Sequence, residues 1–351
     1  MNPDDIEIIK YTSEYKRDLI ELLKHLWLTK NYIERERKFE WRYENNPYTV
    51  EPLIYLALYG EKVIGFRAFV VQKFIFNVSK SINVLSPADA IVLNEYRRSG
   101  IFSMLNTALL KEMSNSLYMN SLILNLSSNR YSTPGYIKQK WQATNGIKRH
   151  CFKFSLFSFL CFVFKNTRPN KNILLNKRNT CIELSDKLLI DELVLFNDIN
   201  RDANKISNIH DKNYFSWRYP GINEKHLFVY YRINNKLVGY LIVLRVSDIQ
   251  YSILEYSANS NRIVKQMIEK LMNHNRIPVL RSWVLSEKDK KELKKCGFYF
   301  EPVRILQFFG KKRLPVLVRP VIITDSNNDF FIDDMDIRDI NNWQVYLADK
   351  H

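Results

Sequence analysis

Ala88-Asp89-Ala90-Ile91-Val92-Leu93-Asn94-Glu95-Tyr96-Arg97-Arg98-Ser99-Gly100-Ile101-Phe102 reads as an apolar strand running into a short polar turn with two arginines and one glycine. An amphipathic helix follows, with Phe102, Leu105, Leu109 and Met113 at helical spacing. A glycine between strand and helix gathers unpaired backbone N–H groups at the positive end of the helix dipole, the geometry of a phosphate cradle. The single glycine and doubled arginine match neither a Walker sequence nor the dinucleotide pattern GxGxxG. Alone, a solvated turn would read the same way.

The context comes from Leu122-Ile123-Leu124-Asn125-Leu126, a second short apolar strand, and the polar stretch behind it that carries Asn129, Tyr136, Lys138 and Trp141. Together the two stretches resemble the GNAT acyltransferases. Arg97-Arg98-Ser99-Gly100-Ile101-Phe102 is similar to that family's pyrophosphate loop, Arg/Gln-x-x-Gly-x-Gly/Ala, with Phe102 departing at the small last position. The second stretch is similar to its strand, Asn, and helix ending Tyr-x-Lys-x-Gly-Phe, with Lys140 where glycine is usual.

The resemblance implies an acyl-CoA co-substrate, acetyl-CoA or another. Arg97, Arg98, Ser99, Gly100, Ile101, Phe102 and Asn129 would hold it, and the backbone of Ile91, Val92 and Leu93 would polarise the thioester carbonyl. Tyr136 would protonate the departing thiolate, since a phenol is protonated at neutral pH and can hydrogen-bond sulfur. Its bland alternative is an aromatic packed beneath the sheet. An attacking amine must first lose a proton, and Asp89 is the expected base. Its mostly apolar surroundings are expected to raise its pKa by partial burial; otherwise it orders a strand end. Glu95 is the alternative base, but next to the loop it reads as solvent-facing.

The chain also repeats itself at long period. Phe39-Glu40-Trp41-Arg42-Tyr43 returns as Phe215-Ser216-Trp217-Arg218-Tyr219, each copy followed by a hairpin whose second strand opens Val63-Ile64-Gly65-Phe66 or Leu237-Val238-Gly239-Tyr240. The second copy lacks the phosphate loop, with Ser257-Ala258-Asn259-Ser260-Asn261-Arg262 in its place. The expected fold is therefore α/β: two tandem GNAT-like domains, each a mixed, mostly antiparallel sheet flanked by helices. Residues 1–164 would be the catalytic domain with the acyl-CoA site, 165–185 a linker, and 186–351 a degenerate domain without a cofactor loop. Tandem folds of this kind are similar to mycothiol synthase and the Fem-type aminoacyltransferases. Trp-Arg-Tyr and the chain end look more like GNAT proteins of bacterial surface-polysaccharide synthesis. Trp41, Arg42 and Tyr43 would then stack on and bind a sugar, or else form a core clasp.

At 351 residues with 46% hydrophobic content the chain is long enough for two cores. Four cysteines without CxxC spacing and six unclustered histidines predict no metal. The acidic run Asp325, Asp329, Asp333, Asp334, Asp336 and Asp339 lacks the spacing of an EF-hand and reads as a solvated loop. The polar start Met1-Asn2-Pro3-Asp4-Asp5 and the free thiols predict a cytoplasmic protein. The net charge of +16 is uneven: between Glu112 and Glu183 there is no acidic residue but eleven Lys or Arg. Within that span Cys151–Phe164 is aromatic-rich and too short to cross a bilayer. It reads as a buried strand over Phe152, Phe154 and Leu156 with a core connector behind it, or as peripheral contact with the inner face of a membrane.

The expected reaction moves an acetyl or other short acyl group from acyl-CoA to a small-molecule amine, with no covalent enzyme intermediate. The expected acceptor is an amino sugar on a nucleotide- or lipid-linked glycan precursor; nucleic acid is not expected as a partner. The alternatives are a Fem-type aminoacyltransferase using charged tRNA, which the basic balance would suit, and a non-catalytic GNAT-fold binding protein.

Overall fold

A computed structural model describes residues 5–27, 29, 31–164, 173–177, 179–220, 226–301, 315–326 and 328–350. The first half runs β1 (Ile6–Lys10), α1 (Lys16–Leu23), α2 (Tyr32–Phe39), β2 (Leu53–Tyr59), β3 (Lys62–Phe76), β4 (Lys80–Val92), α3 (Ile101–Ser114), β5 (Leu122–Asn125), α4 (Thr133–Lys138), β6 (Gln142–Ile147), β7 (Arg149–Phe154) and α5 (Leu156–Val163). The second runs β8 (Ile173–Lys177), β9 (Thr180–Ser185), α6 (Ile190–Asn200), β10 (Ile206–Asn208), α7 (Lys212–Arg218), β11 (His226–Ile233), β12 (Lys236–Arg245), β13 (Gln250–Ala258), α8 (Asn261–His274), β14 (Val279–Val284), α9 (Glu287–Lys295), β15 (Tyr299–Phe300) and β16 (Pro315–Pro320).

Each half builds an antiparallel meander that ends in one parallel crossover, β4–α3–β5 in the first and β13–α8–β14 in the second. The parallel pairing is brief. β4 and β5 share only Val84↔Leu122 and Leu85↔Ile123 before they part, which leaves a wedge open along the end of β4. Leu105, Leu109 and Met113 bury one face of α3, matching the helical spacing in the sequence.

The sheets exchange strands. One sheet has the order β1-β2-β3-β4-β5-β16-β6, the other β15-β7-β14-β13-β12-β11-β9-β8. β16, from the end of the chain, lies between β5 and β6, and Val316, Leu317 and Val318 are buried on both its faces, as a central strand requires. β7, from the first half, pairs with β14 and β15. Sheet membership therefore crosses the boundary expected at 165–185. Residues 165–172 of the expected linker, with Lys165, Arg168 and Lys171, and also Arg178, lie outside the described residues.

Two expectations for 151–164 change. The strand over Phe152 and Phe154 exists but closes the second sheet, and only Cys151 among its apolar residues is fully buried. The segment behind it is an exposed helix, α5, rather than a core connector. Among the described residues no helix is long and apolar enough to cross a membrane. The acidic run makes ion pairs, Asp325 with Lys140 and Asp333 with Lys80.

Candidate active site

The site is built on the end of β4. Between Arg67↔Ala90 and Phe69↔Pro87 the β3–β4 register slips, so Ala68 faces both Ala88 and Asp89. This is a β-bulge, which re-aims backbone groups out of the ladder. The carbonyls of Ala88 and Asp89 each lie 3.4 Å from Arg67 Nη1. Just beyond, a side chain at Gly65 would put its Cβ 2.9 Å from the Ile91 carbonyl, so only glycine lets the strands close up. Leu93 N–H donates to Ile64 O across the ladder at 2.9 Å. By strand alternation Val92 therefore presents its backbone groups to the open edge. Arg97 Nε donates to the Val92 carbonyl at 2.9 Å.

The loop has the cradle geometry. Arg98 and Gly100 both take left-handed φ, at 69° and 80°, which turns successive N–H groups toward one side. Gly100 caps α3 without a side chain, and the first intrahelical donor is Ser103 N–H to Gly100 O at 2.9 Å. The N–H groups of Ile101 and Phe102 precede it and have no acceptor within the helix. Ser99 Oγ donates to Tyr96 O, so its hydroxyl serves the turn. Arg97 and Arg98 are exposed, but the bond to Val92 folds Arg97 back onto the strand. Phe102 packs between α3 and α4, where a Cβ on Gly135 would lie 3.5 Å from its ring.

Tyr136 is buried on α4 against Trp141 (ring centroids 4.7 Å apart) and Phe102 (5.9 Å). Its oxygen accepts a 2.6 Å hydrogen bond from Arg67 Nη2, and Arg67 Nε donates to Asn106 Oδ1 of α3 at 3.0 Å. Arg67 is 1% exposed and, among the described residues, has no carboxylate within 4 Å. A buried cation without a counter-ion is costly; this one joins β4, α3 and α4 around the wedge. The sequence reading missed it. The available signal was an arginine inside the apolar run Val63–Val71.

Asp89 lies on the other face of the sheet. Its Oδ2 accepts from Arg42 Nη1 and Tyr43 Oη, both at 2.8 Å. Burial pushes its carboxyl up, but the Arg42 guanidinium, the Tyr43 hydroxyl and the Lys38 ammonium outweigh this and hold it below the usual carboxylate range. The expected upward shift is thus reversed: burial is the largest single influence, but the Arg42 and Lys38 charges and the hydrogen bonds to the carboxylate together exceed it. Beside it, burial and the Arg42 charge lower Lys38 to about 8. Asp89 and Tyr136 do not touch; Arg67 links them through the bulge.

The remaining expected residues have structural partners. Asn129 Oδ1 accepts from Tyr131 N–H (2.9 Å) and Ser132 N–H (3.0 Å), an Asx turn leading into α4. Glu95 is exposed and sits 3.7 Å from Lys62. Trp41 stacks on Trp217, and each indole donates to the other's carbonyl, at 2.6 and 2.7 Å. This reciprocal clasp joins the two repeats. Beside it lies a cavity of about 380 Å³ lined by Arg37, Glu40, Trp41, Asn45, Asn213 and Trp217.

The second half keeps the frame and loses the cradle. Gly239 pairs with Ala258 as Gly65 pairs with Val92, which sets Glu255 where Asp89 stands. Glu255 is fully buried and accepts from Tyr214 (2.6 Å), Tyr219 (2.9 Å) and Tyr240 (3.1 Å). At α8 the N-cap Ser260 takes the Ile263 N–H on its own hydroxyl, so that helix end is capped from within. A cavity of about 440 Å³ remains between β13 and β14, with Tyr346 of the C-terminal segment against Tyr256.

An antiparallel meander with a bulge and one parallel crossover, built twice and with the crossover helix left uncapped only in the first copy, is the tandem GNAT fold, and solved structures agree. The chain resembles a probable N-acyltransferase from Enterococcus faecalis V583 (TM-score 0.62, 15% identity, 90% of this chain on 73% of that one). It also resembles a GCN5-related N-acetyltransferase from Anabaena variabilis (0.60, 13%, 90% on 73%). A tandem GNAT protein from the clavulanic acid biosynthesis pathway is matched over its whole length (0.55, 8%, 91% on 100%). At these identities the likeness is one of fold. No protein-family model and no curated sequence matches the chain.

Proposed function

We propose that the protein transfers an acetyl or other short acyl group from acyl-CoA to an amine at the wedge beside β4. The observation that carries this reading is the uncapped N-terminus of α3 behind Arg98 and Gly100, next to an open strand edge and a phenol held by a buried arginine. Loop N–H groups and the helix dipole would take the pyrophosphate. The Val92 N–H, on the open edge, would polarise the thioester carbonyl. Tyr136 would give its proton to the leaving thiolate, and Arg67 would meet the charge left on the phenol oxygen. Asp89 is the ionised acceptor nearest the bulge. Its pairing with Arg42 makes it a weak base, so the rate should rise with pH as free amine forms. An amino sugar is the proposed acceptor class, with the cavity beside Trp41, one residue from Arg42, as its approach.

Calorimetric titration tests the reading. Acetyl-CoA should bind the wild type and fail to bind Gly100→Val, whose β-branched side chain resists the left-handed conformation and keeps the pyrophosphate from the backbone. Equal binding to both proteins would sink the cofactor assignment. Binding of charged tRNA without acetyl-CoA would favour aminoacyl transfer, and binding of neither would make the fold a scaffold.

A further inference from the structure

Helix α5 is inside out. Ser158 and Cys161, three residues apart, face the protein at 0% and 8% exposure, and Ser158 Oγ donates to Met272 O at the end of α8. The large side chains Leu156, Phe157, Phe159, Leu160, Phe162 and Val163 point outward, between 42% and 73% exposed. Phe154 and Phe164 extend the patch at either end, at 60% and 75%. A water-facing helix normally buries its large apolar face and exposes a polar one. This one has no charged residue at all. A contiguous apolar surface of that kind marks a contact site.

Charge selects the partner. In sequence, α5 sits within the span from Glu112 to Glu183, which has no acidic residue and eleven basic ones, of which Lys165, Arg168, Lys171 and Arg178 lie outside the described residues. Two copies of the chain meeting through this face would set like charges together, because a two-fold contact uses the same patch twice. An anionic bilayer offers both complements: acyl chains for the phenylalanines and phosphate headgroups for the lysines and arginines. Eight residues make a helix about 12 Å long, which can lie in the interface but cannot span it. The helix is fastened to the second sheet through Ser155 N–H to Pro278 O (2.9 Å) and its own cap, Ser155 Oγ from Ser158 N–H (3.2 Å). The apolar face is therefore presented ready-made. Asp248, in the turn that meets β14, is already paired with Arg245.

We propose that α5 docks the protein on a bilayer carrying anionic lipid. The inference is independent of the acyl-transfer reading. In flotation assays the full chain should rise with vesicles of phosphatidylcholine and phosphatidylglycerol. Pure phosphatidylcholine, or salt near 1 M where the Debye length is about 3 Å, should weaken binding roughly tenfold or more. Phe159→Ser, Phe162→Ser and Phe164→Ser together should reduce vesicle binding by a similar factor with the chain still folding in one cooperative thermal transition, since these side chains are 42–75% exposed. In Phe159→Trp, the added fluorescence should shift blue on anionic vesicles and be quenched by brominated acyl chains. Wild-type protein left in the supernatant, a triple variant that binds undiminished, or a Phe159→Trp emission untouched by brominated lipid would each overturn the proposal. So would unfolding of the triple variant, which would make the aromatics core. A dimer without lipid that the triple variant dissociates would reassign the face to a second copy.

Discussion

Arg67 and Asp89 are opposite, largely buried charges of the site, and their partners decide what each can do. Among the described residues Arg67 has no carboxylate within 4 Å, and it donates a hydrogen bond to the Tyr136 oxygen. Tyr136→Phe removes the proton donor and keeps the ring. Turnover should fall by roughly ten- to a thousand-fold, the general-acid range, with acyl-CoA affinity kept. Arg67→Met should lower kcat in the same direction, and the double variant should be no worse than Tyr136→Phe alone, because the two act as a unit. Additive losses would separate them. Asp89 is tied to Arg42, so Asp89→Asn leaves a guanidinium uncompensated and should cost about 3 kcal/mol. The folded pKa lies below the ordinary carboxylate value of about 3.9, so the pair's stability is present above that pH and lost as acid carries it through the lowered value. Asp89→Asn should therefore flatten the acid limb of the stability curve. Asp89→Asn with Arg42→Met should restore stability. Turnover that stays about a hundredfold down in that double variant would assign Asp89 to proton transfer, and recovery would make it only a tie.

At the scale of elements, α4 shows what departure from the family pattern costs. Lys140, in the place where glycine is usual, takes φ 63° after the helix, while the corresponding turn of the second half keeps Gly297 at φ 85°. An L side chain in this conformation is strained by about 1 kcal/mol. Its compensation is an exposed ion pair with Asp325, worth little. Lys140→Gly should raise stability by roughly 0.5–1 kcal/mol, read from denaturant midpoints. A loss of stability would show that the ion pair holds the Asp325 turn. α3 and α8 make the complementary comparison. They occupy the same place in the repeat, yet one begins on glycine and the other on serine. A cap that satisfies its own helix withdraws the N–H groups that an anion would need.

The whole molecule is one interlocked object. β7 completes the second sheet, β16 completes the first, and the Trp41–Trp217 clasp closes the repeats on each other. A chain cut at 164 would leave each half with a gap or an unpaired edge inside a sheet. Expressed separately, residues 1–164 and 165–351 should fail to fold, whereas co-expression should recover a complex, checked by circular dichroism and size-exclusion chromatography. The intact chain should unfold in a single transition. Two independent transitions, or a soluble folded 1–164 fragment, would contradict the interlocking.

The strand–loop–helix and the hairpins were legible because each is a local pattern whose geometry its own residues impose, whereas the Tyr136 segment was read from its likeness to the GNAT pattern. Gly100 supplies a left-handed φ, apolar alternation makes a strand, and spacing makes the buried face of α3. The repeat was legible for the same reason, since Trp-Arg-Tyr and the glycine after each hairpin turn recur in sequence. What the tertiary structure alone decided involves residues far apart. Alternation can say that Arg149–Phe154 and Pro315–Pro320 are strands but not which sheet edge receives them, because both edges offer the same hydrogen-bonding row. Arg67 meets Tyr136 across 69 residues and Arg42 meets Asp89 across 47, and the second contact, together with Tyr43 and Lys38, reversed the pKa shift that burial alone would give. α5 was undecided for a related reason. A helix without charge has no strong polar face to orient it, so two small buried residues, Ser158 bonded to the end of α8 and Cys161, mark the side turned from solvent.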